Sequence, residues 1–345
     1  MTPIYNQLLI PFLTAMVVAI TMGGSGTAPA FSASYGANVM RKSLIPGLFG
    51  IMVFVGAFLA GKKTASTMGS GILPAEYMDF TVVSIALFSI AVTMLISNIS
   101  GIPQSTSQAA VLALAAPALY FNKLDTHNLF IEIIPAWFIL PIISYFLSFF
   151  AGKYIYQPMR RRGLTIQRAQ NENKRHIWEV VLVIMALYVS FAIGSNNVAN
   201  AAGPLYTMTI NELHIRESDH IVILMLATLV VAPCFGIGAS LFGHKILKNT
   251  GKEIILFGKF EAVIIAFISG SLLLLASVVK GIPTSLVQVN VAAILGIGVA
   301  KMGHKNIFRK TQVKRFFTMW MIAPVISFLL SLLLIFLADK ANLLQ

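Results

Sequence analysis

A chain of 345 residues with 57% hydrophobic and only 11% charged side chains, and a mean hydropathy of +0.83, lies far outside soluble composition, where about a quarter of residues carry charge. The formal net charge of +13 does not point to nucleic acid, because the cations occupy short loops between apolar runs, as the positive-inside rule requires. The single cysteine, Cys234, lies inside an apolar run, which excludes an intrachain disulfide and a thiolate cluster.

In chain order, apolar runs able to cross a hydrocarbon core of about 30 Å cover roughly 4–40, 44–60, 78–99, 102–120 and 129–150. The first lacks a basic n-region and reads as a span rather than a cleaved signal. Glycines near Gly23 to Gly26 predict a break within it. A strongly basic loop, 152–176, follows with Lys153, Arg160, Arg161, Arg162, Arg168, Lys174 and Arg175 against Glu172 alone, and is placed in the cytoplasm. The second half offers 177–210, broken at Gly194 to Asn197, then 220–243, 257–279, 282–300 and 316–338. Five crossings is an odd number, so the second half must run inverted, with both termini outside. On this topology 19 of the 25 basic residues lie inside. Lys62, Lys63, Lys123, Arg216, Lys280 and Lys340 are the exceptions.

Internal similarity supports the same division. Gly101-Ile102-Pro103-Gln104-Ser105-Thr106-Ser107-Gln108 recurs 180 positions later as Gly281-Ile282-Pro283-Thr284-Ser285-Leu286-Val287-Gln288. Met22-Gly23-Gly24-Ser25-Gly26 corresponds to Ile193-Gly194-Ser195-Asn196-Asn197, 171 positions on. The expected fold is an all-α polytopic membrane protein of two inverted-topology repeats, 1–151 and 177–345, joined through the basic loop into one integrated membrane domain. It carries broken helices and two Gly-Ile-Pro-x-Ser helix starts or re-entrant turns.

Proline suits the first turn of a helix, so each Gly-Ile-Pro-x-Ser motif reads as a helix N-terminus with serine and glutamine one turn inside. Such an end offers unpaired N–H groups and a positive dipole end to an anion; the simpler alternative is ordinary capping. The glycine-rich stretches add Ser25, Gly26, Thr27, Ser195, Asn196, Asn197 and Asn200, neutral groups that donate, accept or let backbone approach a ligand. Interhelical packing through small and amide residues is the alternative there. Together with Ser105, Thr106, Ser107, Gln108, Thr284, Ser285 and Gln288 they form a candidate anion site without a formal charge. Glu261, Asp79 and Glu179 are the acids nearest a span and the candidates for proton coupling. There is no His-Glu-x-x-His, no paired intramembrane aspartate and no Ser/His arrangement within a span, so no metal, cofactor or enzymatic activity is expected.

Gly194-Ser195-Asn196-Asn197-Val198-Ala199-Asn200, followed by Gly203-Pro204-Leu205, resembles the Gly-Ala-Asn-Asp-x-Ala-Asn hallmark of the inorganic phosphate transporter family of anion permeases. The Gly-Ile-Pro-x-Ser turns resemble that family's Gly-Leu-Pro-x-Ser-Thr-Thr-His motif. Gly56-Ala57-Phe58-Leu59-Ala60-Gly61 and Gly238-Ala239-Ser240-Leu241-Phe242-Gly243 extend the similarity. The resemblance implies a carrier of a tetrahedral oxyanion, with Ser105, Thr106, Ser285 and Asn196 as anion ligands by analogy, and a homodimer in membrane lipid.

The departures carry information. The hallmark aspartate becomes Gly26 in the first half and Asn197 in the second, the turn histidine becomes Gln108 and Gln288, and Pro29 stands where the first half would carry asparagine. In the family's sodium-coupled members the aspartates help hold sodium; amide and carbonyl oxygens bind a hard cation less firmly. Phosphate keeps a proton that a carboxylate accepts, whereas sulfate has none, so loss of the carboxylates favours sulfate. The degenerate first motif and the Ser-Thr-Ser pattern are similar to the bacterial sulfate permease branch. Importing a dianion against an inside-negative potential costs about 2.3 kcal/mol per charge per 100 mV, so a coupling cation is needed and protons are the natural one. The expectation is proton-coupled sulfate import by alternating access. A sodium- or proton-coupled phosphate transporter is the alternative; a passive anion channel and an intramembrane enzyme stand further off.

Overall fold

The computed structural model describes residues 4–36, 39–101, 104–162, 172–244, 246–247 and 258–344. Ile102 and Pro103 of the first turn, and Arg168, Lys245, Lys248 and Lys252 of the expected inside loops, lie outside them. The helices are α1 (Ile4–Gly36), α2 (Ile45–Ala60), α3 (Lys62–Ser70), α4 (Phe80–Ser100), α5 (Thr106–Tyr120), α6 (Ile134–Phe150) and α7 (Gln157–Arg161) in the first half. The second half holds α8 (Glu172–Asn197), α9 (Ala199–Leu213), α10 (His220–Leu241), α11 (Lys259–Leu275), α12 (Leu286–Met302), α13 (His304–Phe308) and α14 (Thr311–Lys340). π-helical turns extend α6 at both ends, Asn128–Ile133 and Ala151–Tyr156, and α11 at its end, Ala276–Lys280.

Eight helical runs are long and apolar enough to cross a membrane, four in each half. The ten expected crossings are corrected at two places. α5 and α12 have 15 and 17 residues, which rise about 22 and 25 Å, short of a hydrocarbon core of about 30 Å. Both start inside the bundle, where Gln104 to Gln108 and Thr284 to Gln288 are all buried. The hydropathy run is continuous, but left-handed Gly101 (φ +71°) and Gly281 (φ +67°) turn the chain before each begins.

The expected break in the first span is also absent: α1 runs unbroken through Gly23 to Gly26. Its glycines serve close packing instead. A Cβ on Gly23 would collide with the backbone of Phe235 on α10, and one on Gly24 with the Phe242 side chain. In the second half the irregularity is a single residue, Val198, between α8 and α9, one position beyond the expected stretch.

The packing partners follow a matched pattern. α1 packs on α10 and α4, as α8 packs on α2 and α11; α5 packs on α14, as α12 packs on α6. Small residues fill the core between them, while large apolar side chains such as Leu13, Ile51, Phe138 and Ile142 stand exposed. An apolar belt of this kind on the outside is the surface a bilayer requires.

Candidate functional site

Each serine turn builds a capped helix start. Gly101 and Gly281 adopt the left-handed conformation, and Ser105 and Ser285, themselves extended, are N-caps whose hydroxyls accept from the N–H groups of Gln108 (3.3 Å) and Gln288 (3.2 Å). The two glutamines face each other across the halves and exchange hydrogen bonds, Gln108 Nε2 to Gln288 Oε1 at 3.1 Å and Gln288 Nε2 to Gln108 Oε1 at 2.9 Å. Two positions separated by 180 residues thus meet at one point, bringing two helix N-termini together. First-turn N–H groups have no intrahelical acceptor, so each start concentrates donors and a positive dipole end.

The asparagines at the end of α8 tie into these turns. Asn196 Oδ1 accepts from the Thr284 N–H (3.1 Å) and from Ser107 Oγ (3.3 Å), while its Nδ2 donates to Ser277 Oγ (2.8 Å) and the Ile282 carbonyl (2.9 Å). Asn197 Nδ2 donates to Thr106 Oγ1 at 2.9 Å, and Asn200 Nδ2 to Ser107 Oγ at 3.1 Å. Four buried polar atoms in this region have no hydrogen-bond partner: Asn197 Oδ1, Asn200 Oδ1, Thr284 Oγ1 and Gln104 Nε2. Buried polar atoms left unpaired in a native interior ask for a ligand, water or ion.

The hydroxyls of the first half's glycine-rich stretch bond elsewhere than to this knot. Ser25 Oγ donates to Asn98 Oδ1 (2.8 Å), Asn98 Nδ2 to the Thr21 carbonyl (2.7 Å), and Thr27 Oγ1 to Gly23 of its own helix (2.7 Å). Gly26 faces Phe49 and Ile193, and Ser195 donates back to Ala192 at 2.8 Å. Asn98 and Ser277 lie outside the motifs that the sequence singles out. For Ser277 a signal exists: Ser97 and Ser277 stand four residues before Gly101 and Gly281, the same 180-residue offset as the turns.

Among the described residues no carboxylate bonds to the knot. Glu261 is the one charged side chain among the buried residues described, and it lies at the start of α11, where Oε1 meets Lys301 Nζ at 2.7 Å and Oε2 accepts from the Gly258 N–H at 2.7 Å. Glu179 pairs with Lys259 at 2.6 Å. Asp79 caps α4, its Oδ1 accepting from the Val82 N–H at 2.7 Å. Burial, and secondarily the Glu212 charge, push the Asp79 carboxyl above its ordinary value. Chemically, the knot offers amides, hydroxyls and helix ends that bind an anion through neutral donors.

The sequence profile of the phosphate transporter family matches residues 22–331. The chain belongs to that family. It is a transporter rather than an enzyme, and a multi-pass membrane protein, as the motifs led one to expect. It is 31% identical over 337 residues to the sulfate permease CysP of Bacillus subtilis, covering 97% of this chain and 89% of that one. To the protein named "Putative phosphate permease TK2061" of Thermococcus kodakarensis it is 23% identical over 402 residues, covering 95% and 98%. A solved structure, described as the sodium-dependent phosphate transporter, superposes with a TM-score of 0.83 at 19% identity, covering 97% of this chain and 99% of that one. At that identity the likeness is one of fold.

Proposed function

We propose that this family member is a secondary transporter that imports sulfate, with the neutral knot of α5, α12 and the α8–α9 junction as its anion site. The observation that carries the reading is the absence of any carboxylate among the buried groups that converge there. A fully ionised dianion is repelled by a carboxylate, by several kcal/mol for close like charges, whereas amides, hydroxyls and helix ends bind it through donors alone. The sulfate permease relative supports the same choice. In the present state the asparagine and glutamine donors at 108, 196, 197, 200 and 288 are held by neighbouring oxygens, while Gln104 Nε2 is unpaired; an incoming anion exchanges these bonds for its own oxygens, and turning the Asn197 amide by 180° converts its unpaired acceptor into a donor.

Inverted repeats with alternating access belong to this proposal. Their support is the 180-residue offset and the matched packing of the halves. Protons are proposed as the coupling ion and Glu261 as the acid best placed to take one, because it is buried and its partner Lys301 must release it. Glu261→Gln should then abolish any acceleration of uptake by an imposed pH gradient; an undiminished pH response in that variant contradicts the role. A phosphate carrier is the second reading, favoured by the unpaired amide oxygens of Asn197 and Asn200, which offer acceptors to a protonated anion. Counterflow in proteoliposomes, with labelled sulfate against excess unlabelled sulfate or phosphate, separates the two.

A further inference from the structure

Where α6 ends, a lipid-facing stripe runs into a cationic cleft. Phe146, Leu147, Phe150, Tyr154 and Ile155 are exposed along α6 and its π-helical extension, as side chains against hydrocarbon are. Immediately beyond, Lys153, Gln157, Pro158, Arg161 and Arg162 line an open cleft of about 190 Å³. Lys153 Nζ lies over the rings of Phe149 and Tyr154, 5.8 and 5.5 Å from their centroids. Among the described residues the ion pairs engage other cations, and none of them joins a carboxylate to Lys153, Arg161 or Arg162. Gln157 Nε2 donates to the Ala300 carbonyl near the end of α12, which ties the cleft to the helix that carries the second serine turn.

We propose that this cleft seats the phosphate headgroup of an anionic phospholipid whose acyl chains lie along Phe150, Tyr154 and Ile155. Two arginine forks and a lysine suit phosphate oxygens, the forks by paired N–H donors and the lysine as a point charge. Continuity with the exposed apolar stripe favours a lipid over a free anion, because a single ligand then satisfies both surfaces. The site is separate from the transport knot and does not depend on which anion is carried.

The test reconstitutes the full chain in vesicles of phosphatidylglycerol and phosphatidylcholine in equal parts, re-extracts it gently and counts retained lipids by mass spectrometry. Wild type and a control with equal charge removed elsewhere, K305Q/R309Q/K314Q, should retain phosphatidylglycerol preferentially. In K153Q/R161Q/R162Q the enrichment should fall by about fivefold for each cation removed. Arg162→Gln alone should fall part-way, which keeps the test decisive if the triple variant inserts poorly. Equal retention by wild type and both site variants overturns the proposal. So does inorganic phosphate binding in phosphatidylcholine-only vesicles with the same dependence on the three cations, which assigns the cleft to a free anion.

Discussion

Asn196 and Asn197 are neighbours with separable parts. All four hydrogen bonds of the Asn196 amide hold other elements: the Ile282 carbonyl and Thr284 N–H of the second turn, Ser277 before it and Ser107 on α5. A buried polar group left unpaired costs about 1–3 kcal/mol, so Asn196→Ala should lower the thermal unfolding midpoint in detergent by at least about 2 kcal/mol worth of stability and abolish uptake. Asn197 makes one bond, to Thr106, and carries an unpaired oxygen. Asn197→Ala leaves only the Thr106 hydroxyl unpaired and should cost about 1 kcal/mol, less than Asn196→Ala, while sulfate uptake falls. Equal destabilisation by the two substitutions would contradict this division between a residue that shapes the site and one that meets the anion.

Among the elements, the crossing of α2 and α8 depends on glycine. A Cβ on Gly194 would collide with the Val53 carbonyl, whereas one on Gly47, in the first turn of α2, meets nothing within 4 Å. Gly194→Ala should cost about 1–3 kcal/mol through overpacking, and Gly47→Ala should be neutral or stabilising by up to about 1 kcal/mol; similar unfolding midpoints would refute the packing argument. The start of α4 supplies a pH-dependent case. A carboxyl raised above its ordinary 3.8 holds its proton more tightly in the folded chain, so its contribution is fullest below 3.8 and is lost as pH rises through the folded value. Asp79→Asn keeps an acceptor for the Val82 N–H and removes that loss, so at neutral pH it should match or exceed wild type in stability. Asp79→Ala loses the cap and should cost about 1 kcal/mol. An Asn variant as unstable as the Ala variant at neutral pH would reverse the sign of this account.

At the scale of the whole molecule, hydropathy made most spans legible, because a run of about 20 apolar residues in lipid has one stable form. The serine caps were legible too, but not the place of proline: Ser285 caps α12, and Pro283 stands two residues before the cap rather than in the first turn. The unbroken course of α1 was not: glycines that admit the Phe235 backbone look the same in sequence as glycines that interrupt a helix. The inward starts of α5 and α12 were hidden for a related reason, since hydropathy averages over a turn set by one left-handed glycine. The candidate site was readable in part. Asn196, Asn197 and Asn200 meet Thr106, Ser107 and Thr284 in space, but Ser25, Thr27 and Ser195 spend their hydroxyls elsewhere, a choice that only the packing of helices decides. The claim that unites these scales is that a site free of carboxylate selects a fully ionised dianion. It is tested most directly by counterflow of labelled sulfate in proteoliposomes, comparing wild type with Asn197→Asp under competition from phosphate. The account predicts that wild type exchanges sulfate with little competition from phosphate, and that the new carboxylate weakens sulfate exchange at least about tenfold while phosphate gains as a competitor. Wild-type exchange suppressed by phosphate and indifferent to sulfate, or an Asn197→Asp variant unchanged in both, would contradict it.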